Sequence, residues 1–514
     1  MKIFDSIVCP SRTPKNRKLM QAYGTFKPNL KLRNYLTFIC AHLLYQQVSF
    51  LRHILTDVAK ILVYACSMSK VWSSKDLSEI PVFDLCSLST QILSSYSGPD
   101  HGLSHIIYKQ NKYGSGKIAG STTWNKKHNR AYGISLSLYD QNPITGRTAG
   151  DPNADCFAIC ARRDSCIMIM CDGVNWGYKS KLAARSACFS AMQYLNNQCF
   201  DMGEQPESSL DVFVKLQSSI EFAHTQIIKN YAGLTTICVA MVCKVDETKP
   251  YLVCCANVGD SYAYLKHVNG GIQEITVGSH NIKCEQDIRD TGGAIGPVKG
   301  SDPELGNLTF SMSFADVGDI VFLTSDGISD NFDPVVAKLA SSVSLNTKNP
   351  DSHYDSAKSL TSLEMEPIER HEFALKEMER VVLEYELTAE DCISAQNLCA
   401  VLTQYALLLT DKKRKVLENP EIYYVRGEDI VRSSKEVRHS ADIKLMLADL
   451  PGKLDHASIV AYDVGESLFL NDYVPDQIPR HPSDPGPSPY RNKRQKHKLL
   501  SFRSLSRKEK YNMP

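Results

Sequence analysis

Three aspartates stand at the ends of apolar segments, where together they could bind divalent metal ions. Asp172 follows the apolar run at residues 167–171 (IMIMC) and is followed directly by Gly173. Asp326 also follows an apolar run, and Asp455 precedes one. Runs of this length are typical of buried strands, and Asp-Gly after such a run is typical of a turn. Each aspartate is therefore predicted to lie at the edge of a core.

The chemistry that these residues predict is metal binding by oxygen ligands. Mg²⁺ and Mn²⁺ prefer carboxylate, carbonyl and water oxygens, and a two-metal site needs several acids that converge from different strands. A single aspartate at a strand end is more typical of a turn. The prediction of a metal site therefore depends on Asp172, Asp326 and Asp455 taken together.

The pattern around these residues predicts an α+β sandwich. Two apolar segments flank the polar tetrapeptide at residues 162–165 (RRDS), which is typical of a hairpin turn. Apolar residues at steps of three and four predict one helix after Gly177 and a second one at residues 213–227. Further strands are predicted at residues 235–243, 251–257, 262–267, 319–324 and 457–464. Strands, then helices, then more strands argue against a doubly wound parallel sheet.

The overall composition is ordinary and names no partner. The 514 residues include 58 Lys and Arg against 57 Asp and Glu, so no polyanion such as nucleic acid is expected to bind the chain as a whole. The 17 cysteines form no C-x-x-C pair, and many lie in apolar runs, which predicts buried, reduced thiols. We expect an intracellular protein, in the cytoplasm or the nucleus.

The chain is predicted to divide into three parts. Residues 1–130 are a partly disordered N-terminal helical extension, residues 131–464 are the main domain with a helical insertion at about 334–440, and residues 465–514 are a disordered, Pro-rich and basic tail. The longest uncharged stretch, residues 35–51, contains one His and two Gln. It is therefore expected to be a buried or partner-facing helix rather than a membrane span.

The basic tail leaves two interpretations open. Residues 491–510 contain nine Lys or Arg and one Glu. Such a segment is typical of a disordered tail, and it is also typical of a nuclear-import signal that binds import factors or of a segment that binds anionic partners.

The order of six motifs resembles that of the metal-dependent protein phosphatases of type 2C. In the following, each motif of this chain is given with the family pattern that it resembles in parentheses. The first three are DG at 172–173 (DGHGG), GLTT at 233–236 (GSTA) and ANVGDS at 256–261 (ANVGDS). The last three are GGAIG at 292–296 (GxLx), SDGISD at 325–330 (SDGLWD) and DH at 455–456 (DN). Any one of them is weak, but six in one order are specific. The variant VNWG after Asp172 is similar to a divergent branch of eukaryotic 2C-like proteins.

The resemblance implies a β-sandwich of two antiparallel sheets flanked by helices, with two Mn²⁺ or Mg²⁺ ions at one end. It implies that Asp172 bridges both ions, that Gly173 supplies a carbonyl oxygen, and that Asp326 and Asp455 bind one ion. Asp260 would be an outer acid or would help to hold a weaker third ion. A water molecule activated by the ions would attack the phosphorus of phosphoserine or phosphothreonine in partner proteins.

Several residues depart from the family pattern. Val174 stands where many members have a His that is a proposed general acid, and a valine cannot transfer a proton. The early acidic motif is degraded, because Ala154 replaces its middle residue and leaves Asp155 as a weak candidate ligand. The family's phosphate-holding Arg has no clear match, and Arg147 fills that role only if the loop differs. His456 replaces the Asn of the closing motif.

These departures leave two functions open. The first is a serine/threonine phosphatase, because three candidate ligands survive and unneutralised neighbouring carboxylates would repel one another. The alternative is a pseudophosphatase, in which the fold is kept and its surface acts as a binding or adaptor protein.

Overall fold

The computed structural model describes residues 72–73, 77–104, 117–201, 204–245, 251–276, 291–342, 363–389, 392–424 and 431–465. The predicted helical pattern before residue 72, the uncharged stretch at residues 35–51 and the basic tail all lie outside the described residues. The described strands are β1 Trp72–Ser73, β2 Ile92–Gly98, β3 Ala131–Ser137, β4 Cys156–Arg162, β5 Ser165–Cys171, β6 Ile237–Lys244, β7 Tyr251–Val258, β8 Tyr262–Lys266, β9 Ile272–Glu274, β10 Ala294–Lys299, β11 Asp302–Glu304, β12 Thr309–Ala315, β13 Ile320–Thr324, β14 Ala340–Ser342, β15 Leu363–Met365 and β16 His456–Asp463.

The described α-helices are α1 Tyr178–Asn196, α2 Ser209–Lys229, α3 Asp326–Ser329, α4 Pro367–Ala389, α5 Ala395–Leu417, α6 Ser434–His439 and α7 Ala441–Ala448. Single turns of 3-10 helix cover Leu77–Glu79, Asp330–Phe332 and Pro420–Tyr423, and Asn197–Asp201 is a π-helical turn at the end of α1.

Two antiparallel sheets form the centre of the fold. One has seven strands in the order β1-β12-β7-β6-β5-β4-β2, and the other has five in the order β3-β16-β13-β8-β9. All neighbouring strands within both sheets pair antiparallel. The described part of the chain is therefore an α+β sandwich, as the sequence predicts.

The hairpin before Asp172 shows why its sequence is apolar on every residue. Strands β4 and β5 pair from Cys156 opposite Cys171 to Ala161 opposite Cys166, and the turn falls at residues 163–164. On β5, Met168 and Met170 face the five-stranded sheet, whereas the residues that alternate with them pack against helices. Because both faces are buried, the strand carries a continuous apolar run instead of an alternating one.

Helices α1 and α2 cover the outer face of the seven-stranded sheet. Ala184, Ala187 and Leu195 of α1 and Phe213 of α2 lie in one buried cluster with β4–β7. Helix α2 begins with a capping box, in which the side chain of Ser208 accepts a hydrogen bond from the backbone of Asp211 and the carboxylate of Asp211 accepts one from the backbone of Ser208. Both helices lie where the apolar periodicity predicts them.

Helices α4 and α5, which lie in the segment predicted as a helical insertion, cover the other face of the sandwich. The segment 334–440 is helical over much of its described length, and these two helices pack on the core. Met378 and Val382 of α4 and Leu398 and Leu402 of α5 are buried in one cluster with the five-stranded sheet. These helices form the fourth layer, because without them the outer face of that sheet would expose apolar side chains to water.

The main domain also begins earlier than the predicted boundary at residue 131. Strand β2 pairs with β4 along the edge of the seven-stranded sheet, and β1 pairs with β12 at the opposite edge. At least these parts of residues 1–130 belong to the sandwich and not to a helical extension. The sequence of β2 is serine-rich, so its composition hides a strand whose serines are buried.

Each cysteine that the structure describes is free, and most of them are buried. This agrees with the prediction of reduced thiols at Cys160, Cys171, Cys238, Cys254 and Cys255. Over the described ranges, no helix is both long enough and apolar enough to cross a membrane.

Candidate metal centre

The three predicted aspartates lie next to strands that meet at one end of the sandwich. Asp172 directly follows β5, Asp326 begins α3 two residues after β13, and Asp455 directly precedes β16. Because β13 and β16 are antiparallel neighbours, the end of one and the start of the other lie at the same edge of the five-stranded sheet. The fold therefore brings together residues that are up to 283 positions apart (455 − 172).

A lysine shows directly that two of these aspartates converge. The Nζ atom of Lys453 lies 2.5 Å from Asp326 Oδ2, 2.8 Å from Asp330 Oδ2 and 3.3 Å from Asp455 Oδ2. Burial alone would lower the pKa of Lys453, but the three carboxylates raise it well above its usual range, so the ammonium stays charged.

Asp172 joins the same cluster through its electrostatic environment. Burial raises the pKa of Asp172 well above its usual range, and the negative charges of Asp155, Asp326 and Asp455 raise it further. Its backbone is fixed by Thr236, whose Oγ1 accepts from Asp172 N at 3.1 Å and whose N–H donates to Asp172 O at 2.8 Å. The GLTT motif thus serves to hold the first aspartate in place.

Asp155, a weak candidate from the sequence, lies deepest in the cluster. It is fully buried, and its Oδ2 accepts hydrogen bonds from Ser458 Oγ at 2.6 Å and from Ser325 Oγ at 2.9 Å. Burial raises the pKa of Asp155 to about 6, although the two hydroxyl donors oppose this effect. The charge of Asp326 adds to the increase. Asp155 is therefore part of the site despite the degraded motif around it.

Two further aspartates complete the acid cluster. Burial and the charges of Asp326 and Asp330 raise the pKa of Asp260 well above its usual range. Burial raises the pKa of Asp330 to about 6 against the opposing charge of Lys453. Six carboxyl groups therefore interact at one end of the sandwich, of which only Asp155 is completely inaccessible.

The glycines of both D-G pairs are required by close backbone contacts. A Cβ at Gly173 would lie 2.7 Å from Ser180 O and 2.8 Å from Ala154 O, and a Cβ at Gly327 would lie 1.9 Å from His456 O. Such distances are shorter than real Cβ contacts, and the atoms met are backbone atoms that cannot rotate away. Glycine therefore lets the chain segments around each aspartate approach one another.

An aromatic pair connects the VNWG segment to the cluster. Trp176 Nε1 donates a hydrogen bond to Tyr139 Oη at 2.8 Å, and Tyr139 Oη donates to Asp455 Oδ1 at 3.0 Å. The two rings meet edge to face with centroids 4.9 Å apart. Although Trp176 is half exposed, its indole is thus fixed against a residue that orients Asp455.

His456, which replaces the Asn of the family motif, is buried beside this pair. Its Nδ1 accepts from Ala154 N at 3.5 Å, which leaves Nε2 to donate to Gly150 O at 3.0 Å. Burial lowers the pKa of His456, so the ring is neutral near pH 7. With both nitrogens bonded to the backbone, this histidine supports the loop at residues 150–154.

Val174 and Arg147 are the two residues that the sequence analysis compares with the family's His and Arg. Val174 is partly exposed directly after the first D-G pair, and its backbone is held by Leu234 O at 3.0 Å and by Ser180 Oγ at 2.6 Å. Arg147 is exposed in a turn closed by the hydrogen bond from Asn142 N to Arg147 O. Within the described residues, the hydrogen bonds of Arg147 stay inside this turn and do not reach the acid cluster.

The donor set fits a divalent cation on one side of the cluster. Two buried carboxylate oxygens, Asp155 Oδ1 and Asp326 Oδ1, have no hydrogen-bond partner, and hard oxygen donors of this kind suit Mg²⁺ or Mn²⁺. As it stands, no group of three or more Asp, Glu, His or Cys side chains within the described residues is arranged to hold a metal ion. The ammonium of Lys453 lies among three of the acids.

Several residues of the site are not among the sequence predictions. Lys453 and Tyr139 belong to none of the six motifs. Ser325 and Ser458, which bind Asp155, lie in or beside motifs whose predicted ligands are aspartates. Asp330 has a signal, because it follows Asp326 by four residues in the SDGISD motif and so lies one helical turn away.

Sequence comparisons agree with this architecture. A family model described as Protein phosphatase 2C matches residues 145–362. The PP2C-like domain-containing protein CG9801 of Drosophila melanogaster is 34% identical over 438 residues, which make up 68% of this chain and 62% of that relative. The chain thus spans less than two thirds of the length of the curated relative that it matches. Residues 145–362 of this chain thus match the protein phosphatase 2C family.

Two solved structures to which this chain has low similarity are those of phosphatases. The photosystem II phosphatase PBCP has a TM-score of 0.36 and 13% identity, with 65% of this chain and 98% of that chain covered. The catalytic domain of the serine threonine protein phosphatase PstP, solved in complex with two manganese ions, has a TM-score of 0.31 and 14% identity over 65% and 98% of the two chains.

Proposed function

We propose that the protein is a divalent-metal-dependent serine/threonine protein phosphatase that hydrolyses phosphomonoesters. The observation that carries the proposal is the convergence of Asp172, Asp326 and Asp455 at one end of the sandwich, together with three further acids. A cluster of this kind is costly for a protein to keep without cations, because buried neighbouring carboxylates repel one another.

The residues that would hold a cation are Asp172, the carbonyl of Gly173, Asp326 and Asp455, with the buried Asp155 and with Asp260 as further acids. When bound, Mn²⁺ or Mg²⁺ polarises phosphoryl oxygens and activates water as a nucleophile. The family resemblance implies two such ions. The number that this chain binds depends on Lys453, because its ammonium already pairs with three of the acids.

The chain's own residues orient this cluster. Ser325 and Ser458 fix one oxygen of Asp155, Thr236 fixes the backbone of Asp172, and Tyr139 fixes one oxygen of Asp455. Carboxylates held in this way need little rearrangement when a cation and a phosphoryl group bind.

The histidine that many family members carry as a proposed general acid has no counterpart at this site. Val174 has no ionisable group, and both ring nitrogens of His456 are bonded to backbone atoms. General acid catalysis contributes about 10²- to 10⁴-fold, so its loss slows hydrolysis rather than preventing it. We therefore propose a low activity.

The test compares the wild type with Asp172→Asn in the presence of millimolar Mn²⁺. The wild type should hydrolyse a phosphothreonine peptide, and Asp172→Asn should lose that activity while its circular dichroism spectrum is unchanged. Asp201→Asn is the matched control, since Asp201 is a partly exposed acid that pairs with Lys117. Equal silence of the wild type and Asp172→Asn would contradict the proposal.

A pseudophosphatase is the second candidate, and two specific observations favour it. Val174 removes the proton donor, and the ammonium of Lys453 lies among three of the acids. In that case the fold would serve as a binding or adaptor surface, and Mn²⁺ binding without hydrolysis would distinguish it from the enzyme.

The partners that follow from the first candidate are phosphoserine and phosphothreonine proteins in an intracellular compartment. Binding of import factors or anionic partners by residues 491–510 stays a prediction from the sequence, as does the absence of a nucleic-acid partner.

A further inference from the structure

The ammonium of Lys453 already provides a cation at the point where three carboxylates of the cluster converge. Its Nζ lies within 3.3 Å of one oxygen each of Asp326, Asp330 and Asp455, and the side chain is 20% exposed. An ammonium has three N–H groups, so this arrangement can give one to each carboxylate. With three carboxylates around it, the ammonium has the surroundings of a bound cation, whereas a surface lysine is mainly surrounded by water.

The backbone of Lys453 is held so that the side chain points into the cluster. Asn331 Oδ1 accepts from Lys453 N at 2.8 Å, and Asn331 Nδ2 donates to Lys453 O at 3.1 Å and to Gly327 O at 2.8 Å. Asn331 is completely buried. One amide side chain therefore fixes the lysine relative to the D-G turn that carries Asp326.

The residue before the lysine is equally constrained. Gly452 adopts a φ of +91°, a conformation that favours glycine, and its N–H donates to Val336 O at 2.9 Å. A Cβ at this position would lie 2.6 Å from Thr410 Cγ2 on α5. The segment that carries Lys453 is thus packed between α5 and the segment that follows α3.

The contacts of the ammonium are confined to one side of the cluster. Its ion pairs are with Asp326, Asp330 and Asp455, whereas Asp155 and Asp172 form no ion pair with it. The buried oxygens Asp155 Oδ1 and Asp326 Oδ1 have no hydrogen-bond partner. Lys453 thus provides the positive charge for Asp326, Asp330 and Asp455, whereas no ion pair among the described residues reaches Asp155 or Asp172.

We infer that Lys453 replaces one of two divalent ions and that the native chain binds a single ion, on the side of Asp155 and Asp172. The inference rests on the proposed function for the presence of a divalent ion, but it does not require turnover. It also changes the expected stoichiometry, because the family resemblance implies two ions.

Calorimetric titration of the full chain with Mn²⁺ alone tests this directly. We expect about one Mn²⁺ per chain for the wild type and about two for Lys453→Ser, because serine vacates the position and leaves its three carboxylates to a second ion. Lys453→Arg keeps the charge and should stay near one. Lys181→Ser is the matched control, since Lys181 is 18% exposed and pairs with Asp100 outside the cluster.

A melting experiment covers the case in which Lys453→Ser folds poorly. Lys453→Met keeps the aliphatic stem but not the charge, so it should melt below the wild type in EDTA because the carboxylates repel. Saturating Mn²⁺ should then raise its melting temperature more than that of the wild type, since an extra ion binds only the folded state. Equal increases would overturn the inference.

The remaining outcomes also separate this inference from the proposed function. Two Mn²⁺ per wild-type chain, or equal stoichiometry in the wild type and Lys453→Ser, would overturn the role of Lys453 while leaving the phosphatase proposal in place. The expected stoichiometries without peptide hydrolysis would contradict the phosphatase proposal and support the inference. No Mn²⁺ binding by any variant would contradict both.

Discussion

The hydroxyl of Tyr139 donates a hydrogen bond to Asp455 Oδ1 at 3.0 Å, although the two residues are 316 positions apart in the chain. The Tyr139 hydroxyl oxygen in turn accepts a hydrogen bond from Trp176 Nε1 at 2.8 Å. A residue of the VNWG segment is therefore connected to a candidate ligand on the opposite sheet. Trp176 lies four residues after Asp172. Its structural role is to hold the Tyr139 hydroxyl that orients Asp455.

In the Lys453→Ser background, Tyr139→Phe is expected to weaken binding of the second Mn²⁺ by about 10- to 100-fold without unfolding the protein, as is typical when a group that orients a metal ligand is lost. The phenyl ring keeps the packing against Trp176 and His456. Calorimetric titration measures the change. Tyr96→Phe in the same background is the control, because it removes a partly buried hydroxyl that donates to the backbone carbonyl of Gly133 outside the cluster. Equal Mn²⁺ affinity in the two variants would show that Tyr139 does not position Asp455.

Gly173→Ala is expected to destabilise the fold by about 1–3 kcal/mol or more, because the new methyl group meets two backbone carbonyls that cannot move independently. Chemical unfolding measures the change in free energy. At Gly306 a Cβ would meet nothing within 4 Å, so Gly306→Ala should stay within about 0.5 kcal/mol of the wild type. A Gly173→Ala variant as stable as Gly306→Ala would contradict the close approach described here.

Much of this fold could be predicted because its signals are local. Strands β4 and β5 are read from apolar runs around a polar turn, and α1 and α2 are read from their spacing. The aspartates at strand ends could be predicted for the same reason, since a carboxylate directly after an apolar run marks where a strand leaves the core.

The features that escaped prediction depend on contacts between distant residues. Strand β2 has the composition of a loop, yet its buried serines have partners, with Ser94 Oγ donating to Lys126 O at 2.8 Å and Ser97 Oγ accepting from Leu103 N at 2.9 Å. From the sequence alone, Lys453 would be predicted to be a solvated surface residue. Only the folded chain shows that it faces three acids.

Val174→His is expected to raise the rate of phosphopeptide hydrolysis by about 10²-fold or more, because it supplies a general acid next to the cluster. The backbone of residue 174 is fixed by hydrogen bonds that do not involve its side chain, so the substitution should be tolerated. Single-turnover rates at several pH values measure the effect. Val174→Gln is the control, as it adds a polar side chain without a transferable proton at pH 7. A histidine variant no faster than the glutamine variant would show that proton transfer does not limit the reaction.

The ion pair of His267 with Asp319 should make stability depend on pH. His267 Nδ1 lies 3.2 Å from Asp319 Oδ2, and this hydrogen bond raises the pKa of His267, helped by the charge of Asp316 and by Gln273. Burial alone would raise the pKa of Asp319, but hydrogen bonds from His267 and from the backbone of Asp316 and Val268 lower it.

The two shifts set the sign of the effect. A raised histidine pKa stabilises the fold fully below the unfolded value of about 6.5, and this contribution is lost as the pH rises through the folded pKa. A lowered aspartate pKa stabilises the fold at pH values above the unfolded pKa of about 3.9, and this contribution is lost as the pH falls through the folded pKa. His267→Gln should therefore cost more stability at pH 5.5 than at pH 8, as measured by urea unfolding. His439→Gln removes an exposed histidine as a control, and equal losses for His267→Gln at both pH values would contradict the charged pair.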